Sequence, residues 1–266
     1  MNARALSHSP GRSWEAPARN GLNPVGVDLQ LLNCFELRCT GAVVRLPMSA
    51  QRLLAFLALR PHPMLRVHVA GSLWLDSTEE RSFANLRSAL WRVHQSGHSL
   101  IDSSKDQLRL DPRVRVDLHR ATDLARLLLD DFPGRTGIDV DWIPLAGDLL
   151  PDWDDDWVLI EREHFRHLGL QALERLSERL LAAGRLGGAL EVALAAFARE
   201  PLRESVHRLL VKVYLADGNT FEAIRQYRLY RDLVYGRLGL EPSGLMQDLV
   251  RGLIGDEACA DPGAAA

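Results

Sequence analysis

Slid against itself by 34 residues, the second half of this chain falls into register: Leu176 meets Leu210, Leu180 meets Tyr214, Gly184 meets Gly218 and Ala189 meets Ala223. A period of this length belongs to paired antiparallel helices stacked in a tetratricopeptide-like array. Each pair has an apolar face that it cannot bury alone, so neighbouring pairs must cover one another. Ala189, Ala193, Ala196 and Pro201 have the spacing of that repeat's small residues and closing proline. In the second copy, Tyr227 and Tyr230 replace two of the small positions. From about Val158 the pattern is helical almost to the end, with breaks at Gly184, Pro201, Gly218-Asn219 and Gly239-Pro242. An Ala-rich helical bundle without true repeats is the alternative this pattern leaves open.

The first half has a different grammar. Val27, Leu29 and Leu31 alternate with polar residues, as do Phe35, Leu37 and Cys39. Thr40-Gly41 makes a turn, and Val44 and Leu46 continue the two-residue period, so short antiparallel strands are expected. A helix follows Pro47 with Ser49 as its N-cap, its buried side being Leu53, Leu54, Phe56, Leu57 and Leu59. Pro61 and Pro63 close it. A second short helix is expected near 66–75. A third runs from about Thr78 to Gln95, opened by a Ser77/Glu80 capping box and ended by Gly97. Leu100-Ile101, the polar tip at Ser103-Ser104-Lys105-Asp106 and Leu108/Leu110 read as a hairpin, and Val114 and Val116 as one more strand. Strands, three helices and a hairpin are the element order of a winged helix-turn-helix with an extra N-terminal sheet. Residues 130–148 read as a connector. The expected fold class is therefore an α+β winged helix-turn-helix followed by an all-α tetratricopeptide-like domain.

The third helix carries the candidate chemistry. At about 100° per residue, Phe83, Leu86, Leu90 and Val93 share one arc; Arg81, Asn85, Ser88, Arg92 and Gln95 share the opposite one, flanked by Ala84 and Trp91. Arg matches guanine O6/N7 and Asn matches adenine N6/N7, while small Ala and Ser let a helix backbone approach the major groove. Ser104, Lys105 and Arg109 on the hairpin are placed to meet phosphate as a wing, positioning the protein without reading sequence. A solvated surface helix is the bland alternative; the preceding short helix and following hairpin favour the DNA reading.

Charge agrees in sign. Residues 27–120 carry thirteen basic and nine acidic side chains, residues 121–266 sixteen and twenty-five, within a net charge of −3. A basic half beside an acidic half suits contact with a polyanion at the first. Three cysteines (34, 39 and 259), none in a C-x-x-C pair, fit a reducing cytoplasm and no thiolate metal site. No stretch approaches the roughly 20 apolar residues of a membrane span. Glu161, Glu163, His164 and His167 lie on one helix, but interleaved Arg162 and Arg166 make it a solvated face instead of a metal site. Asp152 and Asp154–Asp156 surround Trp153 and Trp157; the tryptophans are expected to pack at the start of the helical domain, and the aspartates to favour its first helix N-terminus. No nucleophile elbow, Walker loop or dinucleotide fingerprint is present, so neither an enzyme nor a cofactor is expected.

Taken together, the segments LQLLNCFELRC, SAQRLLAFLALRP, NLRSALWRV, DQLRLDPRVRVDL, LAGDLLPDWDDDWVLIERE and REPLRESVHRLLVKVYLADGNTFEAIRQYRLYRDLVYGRLGLEPS resemble the Streptomyces antibiotic regulatory protein family of activators, over about residues 27–253. The chain departs from that family at Met48-Ser49-Ala50-Gln51, where a basic helix start is usual, and at His68. Residues 1–26, with Arg4, Arg12 and Arg19 among scattered Ser, Pro and Gly, read as a flexible arm and 255–266 as a disordered tail, while the resemblance implies a winged helix-turn-helix DNA-binding domain (27–120) and a bacterial transcriptional activator domain (121–254). It carries Asn85, Arg87 and Arg92 over as recognition-helix residues. It implies double-stranded DNA with direct repeats as target, two side-by-side protomers as a homodimer on DNA, and recruitment of RNA polymerase holoenzyme through its sigma factor. Neither the ATPase module of larger members nor a receiver domain is expected. A helical-repeat adaptor without specific DNA binding is the competing function.

Overall fold

The computed structural model describes residues 26–130 and 138–254. The expected N-terminal arm up to residue 25, the C-terminal tail and residues 131–137 of the expected connector lie outside them.

Strand β1 (Val27–Gln30) pairs antiparallel with β2 (Glu36–Cys39), which pairs with the two-residue β3 (Ala42–Val43). Thr40 and Gly41 both take positive φ, 52° and 83°, the geometry whose twist matches a two-residue hairpin. The period expected to run through Val44 and Leu46 stops at Val43, because the next residues lead into Pro47. The fourth strand of this sheet, β7 (Val114–Val116), lies on the other side of β1 and runs parallel to it, with Val27 opposite Val114. Val27, Leu29, Leu37, Cys39, Val114 and Val116 are all buried. Alternation tells which side chains point inward, but not which neighbour a strand takes, so the parallel partner was not readable.

Helix α1 (Met48–Ala58) starts one residue ahead of Ser49, with Pro47 as its cap and no side-chain capping bond. Strand β4 (Met64–Leu65) joins the hairpin of β5 (Ile101–Ser103) and β6 (Gln107–Leu110) as a third strand. Between them stand α2 (Arg66–Leu73) and α3 (Glu79–His94). The capping box does not form: Thr78 caps α3, without a side-chain bond. After β7 comes α4 (Asp117–Leu129), which buries Leu118, Ala121, Ala125 and Leu128 and runs across the boundary expected at residue 120. The Asp117 carboxylate accepts from the backbone N–H of Leu31, Leu32 and Leu118 at 2.9, 3.0 and 2.7 Å. Burial nonetheless raises its pKa, outweighing those three bonds.

A 3₁₀ turn (Ile143–Ala146) leads into α5 (Asp156–Ala182), α6 (Leu186–Arg199), α7 (Glu204–Ala216), α8 (Thr220–Leu238) and α9 (Gly244–Ile254). Each expected break falls between helices. Gly184 and Gly218 hold φ of 71° and 74°. They close α5 and α7 identically: Arg185 N–H reaches back to Leu180 O at 2.9 Å and Asn219 N–H to Tyr214 O at 2.8 Å, the six-to-one bond of a Schellman ending. Ala189, Ala193 and Ala196 are fully buried where α6 meets α5. Their counterparts Tyr227 and Tyr230 instead fill a smaller core with Val234 and with Met246 and Val250 of α9.

The two halves share one continuous core, from Val27 to Val213. At the seam Phe35 stacks on Trp153 (5.9 Å between centroids), Trp153 meets Trp157 edge-on (6.3 Å), and Trp157 meets Phe56 edge-on (5.3 Å). Both tryptophans are buried at the start of the helical half. Asp156 lies in the first turn of α5, while Asp155 pairs with Arg52 of α1. Arg60, just beyond the end of α1, reaches Glu161 at 2.9 Å, and the Arg162 guanidinium donates to the carbonyls of Leu149, Leu150 and Trp153. Glu163 pairs with Arg166, so these helix residues serve packing and ion pairing.

His207 is sealed between the repeats, against Phe197 and Tyr230. Its Nε2 lies 2.8 Å from Pro201 O and must carry the proton; Nδ1 then accepts from Gln226 at 2.9 Å. Burial lowers its pKa below 6.5, against Glu204 nearby. The unfolded chain therefore takes up a proton that the fold excludes. The stability contributed is present above pH 6.5 and is lost as pH falls through the lowered value. Melting temperature is expected to drop between pH 7 and 5, by about 2–4 °C for each kcal/mol of linkage. A pH series of thermal melts checks this; a His207→Gln chain with an equally steep decline refutes it.

Candidate nucleic-acid interface

Helix α3 is seated by small residues. Ser82, Leu86, Ala89 and Val93 are its buried positions, and Ser82 Oγ donates to Trp74 O at 3.2 Å. Phe83 and Leu90, expected on the buried stripe, are only half-buried. At about 100° per residue the true buried arc is turned by about 50° from the one that side-chain hydrophobicity suggests. The cause is packing distance: Ser82 and Ala89 let α3 approach α1 and α2, whereas bulky Phe83 and Leu90 straddle the edge. The outward direction turns with it. Ala84, Trp91 and Gln95 lie nearest the outer pole, Ser88 and Arg87 about 50° to either side, and Arg81 and Arg92 on the Ser88 shoulder. Asn85 is farther round and half-buried.

Arg81, Arg87, Ser88 and Arg92 are exposed, and none of the three guanidiniums has an ion pair among the described residues. By contrast Arg38, Arg52, Arg60, Arg109, Arg113 and Arg115 of the same half hold carboxylates, so the three unpaired cations of α3 are gathered on one helix. Trp91 is 57% exposed.

The hairpin residues divide. Lys105 is exposed at the tip and has no ion pair among the described residues. Ser104 builds the turn, its Oγ accepting from Gln107 N–H at 3.0 Å. Arg109 forks onto Asp102 through Nε at 2.9 Å and Nη2 at 2.6 Å, so the structure ties it to its own strand pair instead of presenting it as a free wing cation. Arg66 was not among the expected residues. It docks the tip onto α2, its backbone N–H on Asp106 O (2.9 Å) and its guanidinium on Ser104 O and Ser103 Oγ. A cation at a helix N-terminus opposes the helix dipole, and that was the available hint of a tertiary partner.

Between the end of α3 and the hairpin lies a groove in two hollows of ≈ 620 and ≈ 600 Å³. His94, Ser99, Asp102 and Asp111 line one; Trp91, His98 and Arg66 line the other. Asp111 is buried at the floor, 2.7 Å from Arg113, whose side-chain bond lowers its pKa.

Residues 144–253 match the bacterial transcriptional activator domain family. Among solved structures, Mycobacterium tuberculosis EmbR in complex with a low-affinity phosphopeptide is similar over 85% of this chain and 64% of its own, with a TM-score of 0.67. Residues 144–253 thus carry a bacterial transcriptional activator domain. At 19% identity the likeness to EmbR shows the fold: a winged helix-turn-helix followed by a tetratricopeptide-like helical half. The chain spans less than two thirds of the EmbR chain's length. No curated protein matches the sequence. The activator domain match begins within the 3₁₀ turn and takes in α5 to α9, so the activator domain includes the tryptophans that pack it against the N-terminal half. No helix among the described residues is long and apolar enough to cross a membrane.

Proposed function

We propose that this chain is a cytoplasmic, sequence-specific DNA-binding transcriptional activator. Residues 27–120 form its DNA-binding domain and 121–254 its activator domain. It binds direct repeats near a promoter as two side-by-side protomers and recruits RNA polymerase through its sigma factor. The observation that carries the reading is the outward side of α3, where Arg81, Arg87 and Arg92 stand exposed without ion pairs among the described residues. Cations held that way are free to meet phosphate and base edges without first breaking an ion pair. Ser88 and Asn85 supply hydrogen-bonding groups beside them. Lys105 meets backbone phosphate from the wing, and Ser104 and Arg109 hold its hairpin.

Selection of duplexes from a random pool by the full chain tests this directly: spaced repeats should emerge. An adaptor without specific DNA binding would retain no sequence. On a selected site, Arg92→Ala should weaken binding by about 1–3 kcal/mol and relax base preference at one position. Lys105→Ala should weaken selected and random duplexes alike. Equal losses from both variants on both duplexes would remove the base-reading role of Arg92.

A further inference from the structure

The most outward large side chain of α3 is apolar, and a DNA groove offers little for such a group to touch. Trp91 lies within about 10° of the direction opposite the buried stripe and is 57% exposed. On the same outward side stand Ala84, two turns before it near the pole, and Ser88, one turn before it on the shoulder, both small enough to let the helix backbone come close. Arg87 flanks it on one side, Arg81 and Arg92 on the other, all without ion pairs among the described residues. The cations name the occupant of this face as a polyanion. The indole says what must lie on the floor. In the major groove every base-pair edge presents donors and acceptors, and the one apolar group is the C5-methyl of thymine.

We infer that Trp91 is a specificity-determining residue that packs against a thymine C5-methyl group when α3 enters the major groove. This rests on the DNA-binding reading above and adds to it which base is read, and by what contact. The indole has a single donor, Nε1–H; against a purely polar floor the rest of the ring would desolvate donors and acceptors without replacing their bonds, so a site lacking thymine there is disfavoured. Stacking of the indole on a base is the other contact an aromatic ring makes with nucleic acid, but it requires an unstacked base, and this face is an outward-standing helix in a winged module suited to duplex.

The test uses the full chain and a duplex selected from a random pool, with each thymine in turn replaced by uracil, which removes only the methyl. The wild-type chain should bind about three- to fivefold more weakly at one thymine per half-site, the size expected for one buried methyl. Trp91→Ala should lose that discrimination, binding the thymine and uracil duplexes equally, and Trp91→Leu should keep part of it. Circular dichroism confirms that both variants remain folded, as expected for so exposed a side chain. A uracil scan that is flat for the wild type, or a penalty of equal size in Trp91→Ala, overturns the inference while DNA binding stands. Absence of any selected duplex at low salt overturns the DNA-binding reading itself.

Discussion

Trp157→Ala is expected to lower the free energy of unfolding by about 3–5 kcal/mol, the range for truncating a large aromatic in a packed core. The indole is buried between Phe56 of α1 and Trp153, at the seam where the two halves share their core. Removing it takes apolar area from both halves at once. Trp157→Phe should cost less than about 1.5 kcal/mol, because the ring contacts survive. The indole N–H it discards is buried without a hydrogen-bond partner among the described residues. Urea titrations read by far-UV circular dichroism and by fluorescence check this. One shared core predicts coincident transitions in the wild type. Two separated transitions, with the variant moving only one, would show that the halves fold apart.

Raising salt from 50 to 200 mM should weaken duplex binding about 40-fold per protomer if Arg81, Arg87 and Lys105 each neutralise one phosphate, since the log–log slope is about −0.9 for each. Arg81 and Arg87 stand about 120° apart around α3, and Lys105 tips the hairpin, so the three can reach backbone on different sides of one groove. The combined Arg81→Ala, Arg87→Ala and Lys105→Ala chain should lose about 2.7 from the slope while retaining the wild-type base preference. Competition titrations at four salt concentrations measure both quantities. A slope unchanged by the triple substitution would show that these cations do not face phosphate, and that the unpaired side of α3 serves another partner.

Much of the architecture was legible because it is local or periodic. The 34-residue shift located two helix pairs, and each glycine or proline break fell between helices because positive φ or a missing N–H ends a helix whatever surrounds it. The hairpin from Ile101 to Leu110 followed from its alternation and polar tip. The capping assignments failed because Pro47 and Thr78 supply extended backbone at the helix starts without help from Ser49 or Ser77. Helix α4 was left unplaced because its buried positions include two alanines, which give a weak hydrophobic signal.

The candidate site was half legible. Residue types on α3 were readable, and the structure leaves Arg81, Arg87, Ser88 and Arg92 exposed. Their rotation about the helix axis was not. Hydrophobicity weights Phe83 and Leu90 heavily, whereas close packing selects Ser82 and Ala89, so Trp91 moved from the margin to the outermost position. Arg109 looked like a wing cation until the register of β5 against β6 set Asp102 directly across from it.

By itself, then, the sequence determined roughly where elements lie, which half repeats, and which helix carries arginines on one side, since each depends on neighbours within a few residues or on a fixed period. Tertiary structure alone decided that β7 lies parallel to β1, that a run of aromatics welds the two halves, and which arginines are already occupied. Those outcomes depend on distances between residues far apart in the chain. Spacing along the chain does not encode such distances; the packing of the core sets them.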